Sequence, residues 1–183
     1  IALSACLAGE IPRTLMGDNK MIKGGGTFDD AIRQTQEYMD IYDGRFYLEV
    51  QANTLPDQAQ LNSKLLELAE HTKVPLVATN DCHYLNADDV EAHDVLLCIQ
   101  TRMRFEARDL YYKSSEEMEQ AFKHVPEALS NTVRIAGECH IEMDFTHHYF
   151  PVYELPEGMT LSTEFQRLAR EGLKQRLALH PDR

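Results

Sequence analysis

The first hundred residues switch back and forth between two hydrophobic periods, and few folds accommodate that pattern. Short, nearly continuous apolar runs rich in β-branched or aromatic residues occur at residues 1–5, at Phe46-Tyr47-Leu48-Glu49-Val50-Gln51 and from Val74 to Ala78. Between and after them lie segments of helical period. Phe28, Ala31, Ile32, Thr35 and Tyr38 form one stripe, with Thr27 as N-cap, Asp29 and Asp30 in the first turn and Asp43-Gly44 as the stop. Leu61, Leu65, Leu68 and Ala69 form a second stripe after Pro56-Asp57. Ala92, Val95, Leu96 and Ile99 form a third, predicted core face behind the acidic start Asp88-Asp89-Val90-Glu91. Strand and helix in regular alternation predict an α/β fold of parallel strands joined by right-handed crossovers.

In such folds ligands gather at the carboxyl ends of the strands. The third run ends abruptly in Thr79-Asn80-Asp81-Cys82-His83-Tyr84. Asp81 and His83 are two positions apart, so in extended chain they point the same way and offer an oxygen and a nitrogen donor to one divalent metal. The same residues also suit a simple turn, since Asn-Asp is ordinary loop chemistry. The other two runs deliver Cys6 and Glu49 to Gln51, so three successive strand ends carry metal-capable side chains to one rim.

Composition narrows the function classes. The chain has 183 residues, 43% of them hydrophobic, enough for one domain or a little more with a sizeable core. With 30 acidic against 18 basic residues and a net charge of -12, it lacks the profile of a phosphate-binding surface. Lys20, Lys23, Arg102, Arg104 and Arg108 form only loose groups. The four cysteines include no CxxC pair, so neither a zinc ribbon nor a disulfide framework is expected, which suits a reducing, cytoplasmic setting. No apolar run reaches membrane-spanning length and no signal peptide is recognisable. The opening Ile1-Ala2-Leu3-Ser4-Ala5-Cys6 reads as the middle of a longer protein.

Gly9-Glu10-Ile11-Pro12 reads as a turn or helix start, followed by a polar loop. Gly24-Gly25-Gly26 lack the spacing of a phosphate cradle and read as a flexible connection. His93 lies on the flank of its helix and is expected to pack or to orient the Asp81–His83 loop; Cys98 is expected in the core. Ser114 to Glu117 forms a capping box, Met118 and Phe122 pack at i, i+4, and Pro126 opens a helix with the stripe Leu129, Thr132, Val133 and Ala136. Cys139-His140 and His147-His148 lack ligand spacing. An aromatic and proline-containing stretch, Tyr149-Phe150-Pro151-Val152-Tyr153 to Pro156-Glu157-Gly158, then leads to a last helix with Phe165, Ala169, Leu173 and Leu177 in one row. The expected division is 1–150, a linker over 151–160, and the start of another domain over 161–183.

Several of these segments resemble, in order, motifs of the bacterial replicative DNA polymerase III alpha subunit family. Leu3-Ser4-Ala5-Cys6-Leu7-Ala8-Gly9-Glu10 is similar to its LSxCLxGE segment, Phe46 to Gln51 to its FYLELQ strand, and Ala78 to Tyr84 to its ATNDxHY motif. Ala92-His93-Asp94 with Leu97 to Thr101 resembles AHDxLLCIxT, Pro126-Glu127-Ala128-Leu129 with Asn131-Thr132 resembles PEAxxNT, and Pro156-Glu157-Gly158 through Glu171-Gly172-Leu173 resembles the start of the polymerase body.

The resemblance implies that residues 1–150 are the later part of a polymerase-and-histidinol-phosphatase (PHP) domain, a distorted, TIM-like β/α barrel, followed by a C-terminal helical segment. It implies metal ligands at Cys6, Asp81 and His83, with zinc, manganese or magnesium as the ion. It carries no ligand role for Glu49, which with His93 is expected behind the ligands. A His-x-His pair and further ligands would precede Ile1, and the polymerase's own catalytic aspartates would follow Arg183. The implied activity is that of a DNA-directed DNA polymerase as the whole protein, with 3′-5′ exonuclease or phosphoesterase chemistry at the PHP site. Implied partners are DNA, reached through the full-length polymerase, and other replicase subunits, including a proofreading exonuclease and the sliding clamp; no membrane is implied. The alternatives are a docking module for the proofreading subunit without hydrolytic activity and, against the polymerase-like segment at 156–177, a stand-alone PHP-type phosphatase.

Overall fold

A computed structural model describes residues 1–101, 109–147 and 150–179. Arg102, Arg104, Arg108, His148 and Tyr149, named above, lie outside the described residues. The chain divides into two compact units, residues 1–140 and 141–183.

The first unit is built on a parallel three-stranded sheet in the order β1 (Ala2–Leu3), β2 (Phe46–Gln51), β3 (Leu76–Thr79). Ala2 pairs with Phe46, and Leu48 to Gln51 pair in register with Leu76 to Thr79. Sequential strands are thus spatial neighbours, as short crossovers require. The crossovers are α1 (Glu10–Met16) and α2 (Phe28–Ile41) before β2, and α3 (Pro56–Thr72) before β3. Phe46, Leu48 and Val50 of β2, with Leu76 and Ala78 of β3, share one core with Ala31 of α2 and with Leu61, Leu65 and Leu68 of α3. Period-two alternation therefore turns one face of the sheet to α2 and α3 and the other face, with Tyr47, Glu49, Gln51, Val77 and Thr79, away from those two helices.

Local chemistry accounts for most boundaries. Thr27 caps α2 reciprocally with Asp30: each side chain accepts from the other's backbone N–H, and the Asp30 carboxyl is held below its usual pKa chiefly by the Thr27 hydroxyl. Pro56 opens α3 and Lys73, in the left-handed region at φ 61°, closes it. α5 (Ser115–Ala121) carries the Ser114–Glu117 capping box read from the sequence, and α6 (Pro126–Glu138) starts at its proline.

Three expectations are corrected. Of the two readings of Gly9 to Pro12, the helix start holds, but the helix, α1, runs for two turns where a polar loop was expected, because Pro12 is tolerated in a first turn and Ile11 and Leu15 find the core. The glycines at 24–26 are not a slack connection. They double back on the end of α1: Gly25 O accepts from Asn19 N at 2.8 Å, and a Cβ on Gly25 would stand 1.8 Å from Gly17 O. At φ 86°, Gly25 also occupies the left-handed region, which glycine enters without strain.

The third correction concerns the helix faces. In α4 (Val90–Thr101), Val95, Leu96 and Ile99 are 59%, 65% and 76% exposed, while His93, Asp94, Leu97 and Cys98 are half-buried. Apolar residues surround much of this helix, so period alone selects no face; the contacts of the His93 ring with His83 and Tyr84 do. In α6 the expected Val133 is exposed, and the helix docks partly by polar groups. Because Leu48 N bonds Pro75 O, the Leu76 and Ala78 carbonyls point outward from the sheet. Asn131 Nδ2 donates to Leu76 O at 2.7 Å and Thr132 Oγ1 to Ala78 O at 2.6 Å. Side chains of α6 thus satisfy the open edge of β3.

The second unit contains α7 (Leu161–Leu179), started by the paired Thr160 and Thr163 hydroxyls. Glu164 is buried and takes two bonds from Arg167, at 2.8 and 2.7 Å, which hold its carboxyl below the usual range. Phe165 and Leu173 are exposed. Among the described residues no helix is long and apolar enough to cross a membrane.

Substituting Asn131→Ala is expected to leave the Leu76 carbonyl unsatisfied and to cost about 1–3 kcal/mol. Chemical denaturation of the protein would check this; an unchanged midpoint would mean that water replaces the amide without loss.

Candidate metal centre

Parallel pairing brings the carboxyl ends of β1, β2 and β3 to the same edge of the sheet, and each end makes a different preparation. β1 is cut short because Ala5 adopts φ 64°, a left-handed conformation that costs an alanine about 1 kcal/mol. That bend sends Cys6, half-buried and disulfide-free, into the turn before α1, where its carbonyl accepts from Gly9 N at 2.8 Å.

Beyond β3 the chain carries Asp81 and His83 side by side, with His83 Nε2 3.2 Å from Asp81 Oδ1. Asn53, in the loop after β2, extends Nδ2 to the other carboxylate oxygen, Asp81 Oδ2, at 3.5 Å. The His93 ring meets the His83 ring edge-on with centroids 5.5 Å apart, and stands 5.1 Å from Tyr84. So the helix-borne histidine abuts the strand-end histidine, although it lies ten positions downstream in a different element.

The loop is held by a short fourth segment. Leu110, fully buried, accepts from His83 N at 2.8 Å and from Tyr84 N at 3.3 Å, and its own N–H donates to Tyr84 Oη at 3.2 Å. Tyr84 and Tyr111 form a parallel bridge, and Asn80 Nδ2 donates to Tyr111 O at 3.1 Å. Tyr111 in turn donates its hydroxyl to Glu117. That bond is the main cause of a raised Tyr111 pKa and a lowered Glu117 pKa.

Glu49 lies one strand over and serves as an acceptor. Its Oε1 takes Thr79 Oγ1 at 2.5 Å and Gln51 Nε2 at 3.1 Å, while its N–H donates to Ser4 Oγ at 2.9 Å. The three strand ends are thus joined by one chain of polar contacts, from Ser4 through Glu49 to Thr79, on the sheet face turned away from α2 and α3.

In donor chemistry, Asp81 and His83 fit a divalent ion, offering a carboxylate oxygen and an imidazole nitrogen from one turn of chain. Among the described residues, no group of three or more His, Cys, Asp or Glu side chains is arranged to hold one. The structure therefore brings together Asp81, His83 and His93, and keeps Cys6 and Glu49 on the same rim outside that group. Sequence reasoning passed over Asn53, Ser4 and Thr79. Asn53 and Thr79 are positions at strand ends, where a polar residue is a recognisable signal; the part played by Tyr111 and Leu110 is set by long-range pairing and leaves no local mark.

Cys139 and His140 are exposed at the end of α6 and join no such group. His147 pairs with Asp144 three positions earlier, in a local turn.

Replacing Ala5 by glycine is expected to relieve the left-handed strain and raise stability by up to about 1 kcal/mol, readable as a higher Tm; a lower Tm would show that the bend is not strained. The Glu117 tie should also show in acid. Its folded pKa lies below the ordinary value, so its contribution is complete above the unfolded carboxyl pKa and is lost as pH falls through the folded one. Glu117→Gln is expected to flatten part of the stability-versus-pH curve below about pH 4; parallel curves for the two proteins would refute this.

Compared with known proteins, the chain matches no protein-family model. Individual curated proteins do match it. It is 37% identical over 186 residues to DNA polymerase III subunit alpha of Borreliella burgdorferi, covering 96% of this chain and 16% of that protein. It is 33% identical over 187 residues to DNA polymerase III subunit alpha of Pseudomonas fluorescens, covering 98% and 15%. An error-prone DNA polymerase of Symbiobacterium thermophilum is 32% identical over 184 residues, covering 96% and 16%. The chain spans about a sixth of the length of the curated relatives it matches. With 32–37% identity running along nearly all of it, the chain belongs to the family of the DNA polymerase III alpha subunit, of which it represents one segment.

Proposed function

We propose that the chain works as part of a DNA-directed DNA polymerase, and that residues 1–150 are the later portion of a PHP-type β/α barrel whose rim holds catalytic divalent metal. The observation that carries this reading is the meeting of Asp81, His83 and His93 at the carboxyl edge of a parallel sheet, within a chain homologous along its length to polymerase III alpha subunits. Consecutive strand order with α1, α2 and α3 packed on one face supports a barrel, because a doubly wound sheet would place helices on both.

In this reading Asp81 and His83 hold an ion, Cys6 as thiolate adds a soft donor from the end of β1, two strands over on the same edge, and residues outside this chain complete the shell. The ion, zinc, manganese or magnesium, would polarise a phosphodiester and acidify a bound water, the chemistry of 3′-5′ exonuclease or phosphoesterase action. Asn53 and His93 orient the two ligands, and Glu49 fixes the strand ends beneath them. With a net charge of -12, the chain offers duplex DNA little attraction, so substrate reaches the rim as a single-stranded end presented by the rest of the polymerase. Its partners are then DNA and the other subunits of a cytoplasmic replicase, a proofreading exonuclease and sliding clamp among them.

A second reading, a docking module without hydrolysis, has one observation in its favour: no three-ligand group exists among the described residues. Metal analysis separates the two. In the full-length polymerase, His83→Ala and Asp81→Ala are each expected to lower zinc or manganese content and to raise the metal Kd by about 10- to 100-fold, with His93→Ala costing less. Unchanged metal content in the first two variants would favour the docking module; equal loss in all three would make His93 a ligand.

A further inference from the structure

The loop after β2 and the segment before α5 are more than fifty residues apart in sequence, yet they meet at one carboxylate. Asp109 Oδ1 accepts from Thr54 N at 3.1 Å and from Thr54 Oγ1 at 2.8 Å. Its carbonyl accepts from Lys113 Nζ, which also lies 3.8 Å from Asp109 Oδ2, so the acceptor is itself held in place. The residue before Thr54 is Asn53, whose amide donates to Asp81 Oδ2. The residue after Asp109 is Leu110, whose carbonyl receives the backbone N–H of His83. The Asp109–Thr54 contact thus fastens together, one residue away on each side, the group that touches Asp81 and the group that anchors His83.

From this juxtaposition we infer that Asp109 is a positioning residue for the metal rim: a latch that sets the separation of Asp81 and His83 without touching either. The inference rests on the proposal that these two side chains bind metal. Two hydrogen bonds converging on one carboxylate oxygen from a backbone N–H and its own side-chain hydroxyl close a small rigid ring, which fixes the loop's direction as well as its distance. Toward Thr54 the latch acts by acceptor geometry, because neither of those donors is ionised; the carboxylate's charge is met separately by Lys113, 3.8 Å from Oδ2. An isosteric amide keeps an oxygen in the same place, whereas alanine removes it.

The test uses the full-length polymerase and zinc alone, titrated against a chromophoric chelator, with the uptake lost in His83→Ala taken as the signal. Asp109→Ala is expected to weaken that uptake about 10-fold, and Asp109→Asn to restore it to within about 3-fold. Thr54→Val, which keeps shape but loses the hydroxyl, should weaken uptake by a smaller factor, and Thr54→Ser should not weaken it. The Thr54 pair keeps the question answerable if Asp109→Ala fails to fold. Full uptake by Asp109→Ala or by Thr54→Val, beside a clear loss in His83→Ala, would overturn the latch and leave the metal reading standing. So would an Asp109→Asn variant as weak as Asp109→Ala. If His83→Ala itself loses no zinc, the metal reading fails, and the latch with it.

Discussion

Parallel hydrogen bonding between β2 and its two neighbours is the constraint on which the first unit depends. A parallel ladder cannot be closed by a tight turn, so each connection must travel the length of the sheet and return, and here it does so as helix. The same geometry sends every strand's carboxyl end to one edge. Cys6, Asn53 and Asp81 are neighbours of that edge for no reason except direction. With α1, α2 and α3 gathered on one face, the core lies between that face and the helices, and the opposite face is free to carry Glu49, Gln51 and Thr79.

Polar groups are used in two distinct ways. On the rim they link strand ends, as in the chain from Ser4 through Glu49 to Thr79, where each bond limits the freedom of a loop that bears a donor atom. At the far edge of β3 they terminate the sheet: Asn131 and Thr132 occupy outward carbonyls that could otherwise pair with another strand. In both settings a buried backbone or carboxylate group without a partner would cost more than the bond contributes when made, so these contacts specify position more than they add stability.

Homology and geometry speak to different levels of the functional reading. The relatives assign the family over almost the whole chain but are about six times its length, so they describe a protein of which this is a part. The geometry adds what homology does not contain: His93 against His83, Asn53 on Asp81, and Asp109 holding the loops beneath them.

Much of the fold was legible in the sequence, wherever one local rule decided the outcome. The strand at Phe46–Gln51, the Thr27 and Ser114 caps, the helices opened by Pro56 and Pro126, and the Asp81–His83 pair at a strand end are all written in contiguous residues. Tertiary structure decided the rest. The half-buried face of α4 is chosen by the His93 ring and not by its apolar period, because that helix is apolar on more than one side. The three glycines at 24–26 look like a tether in sequence and become a fitted turn only because the end of α1 is there to pack against. The Asp109–Thr54 latch pairs two ordinary polar residues across 55 positions. Local sequence carries propensity and period; it cannot carry which distant acceptor a donor will meet, since only the closed chain brings the two within hydrogen-bonding distance.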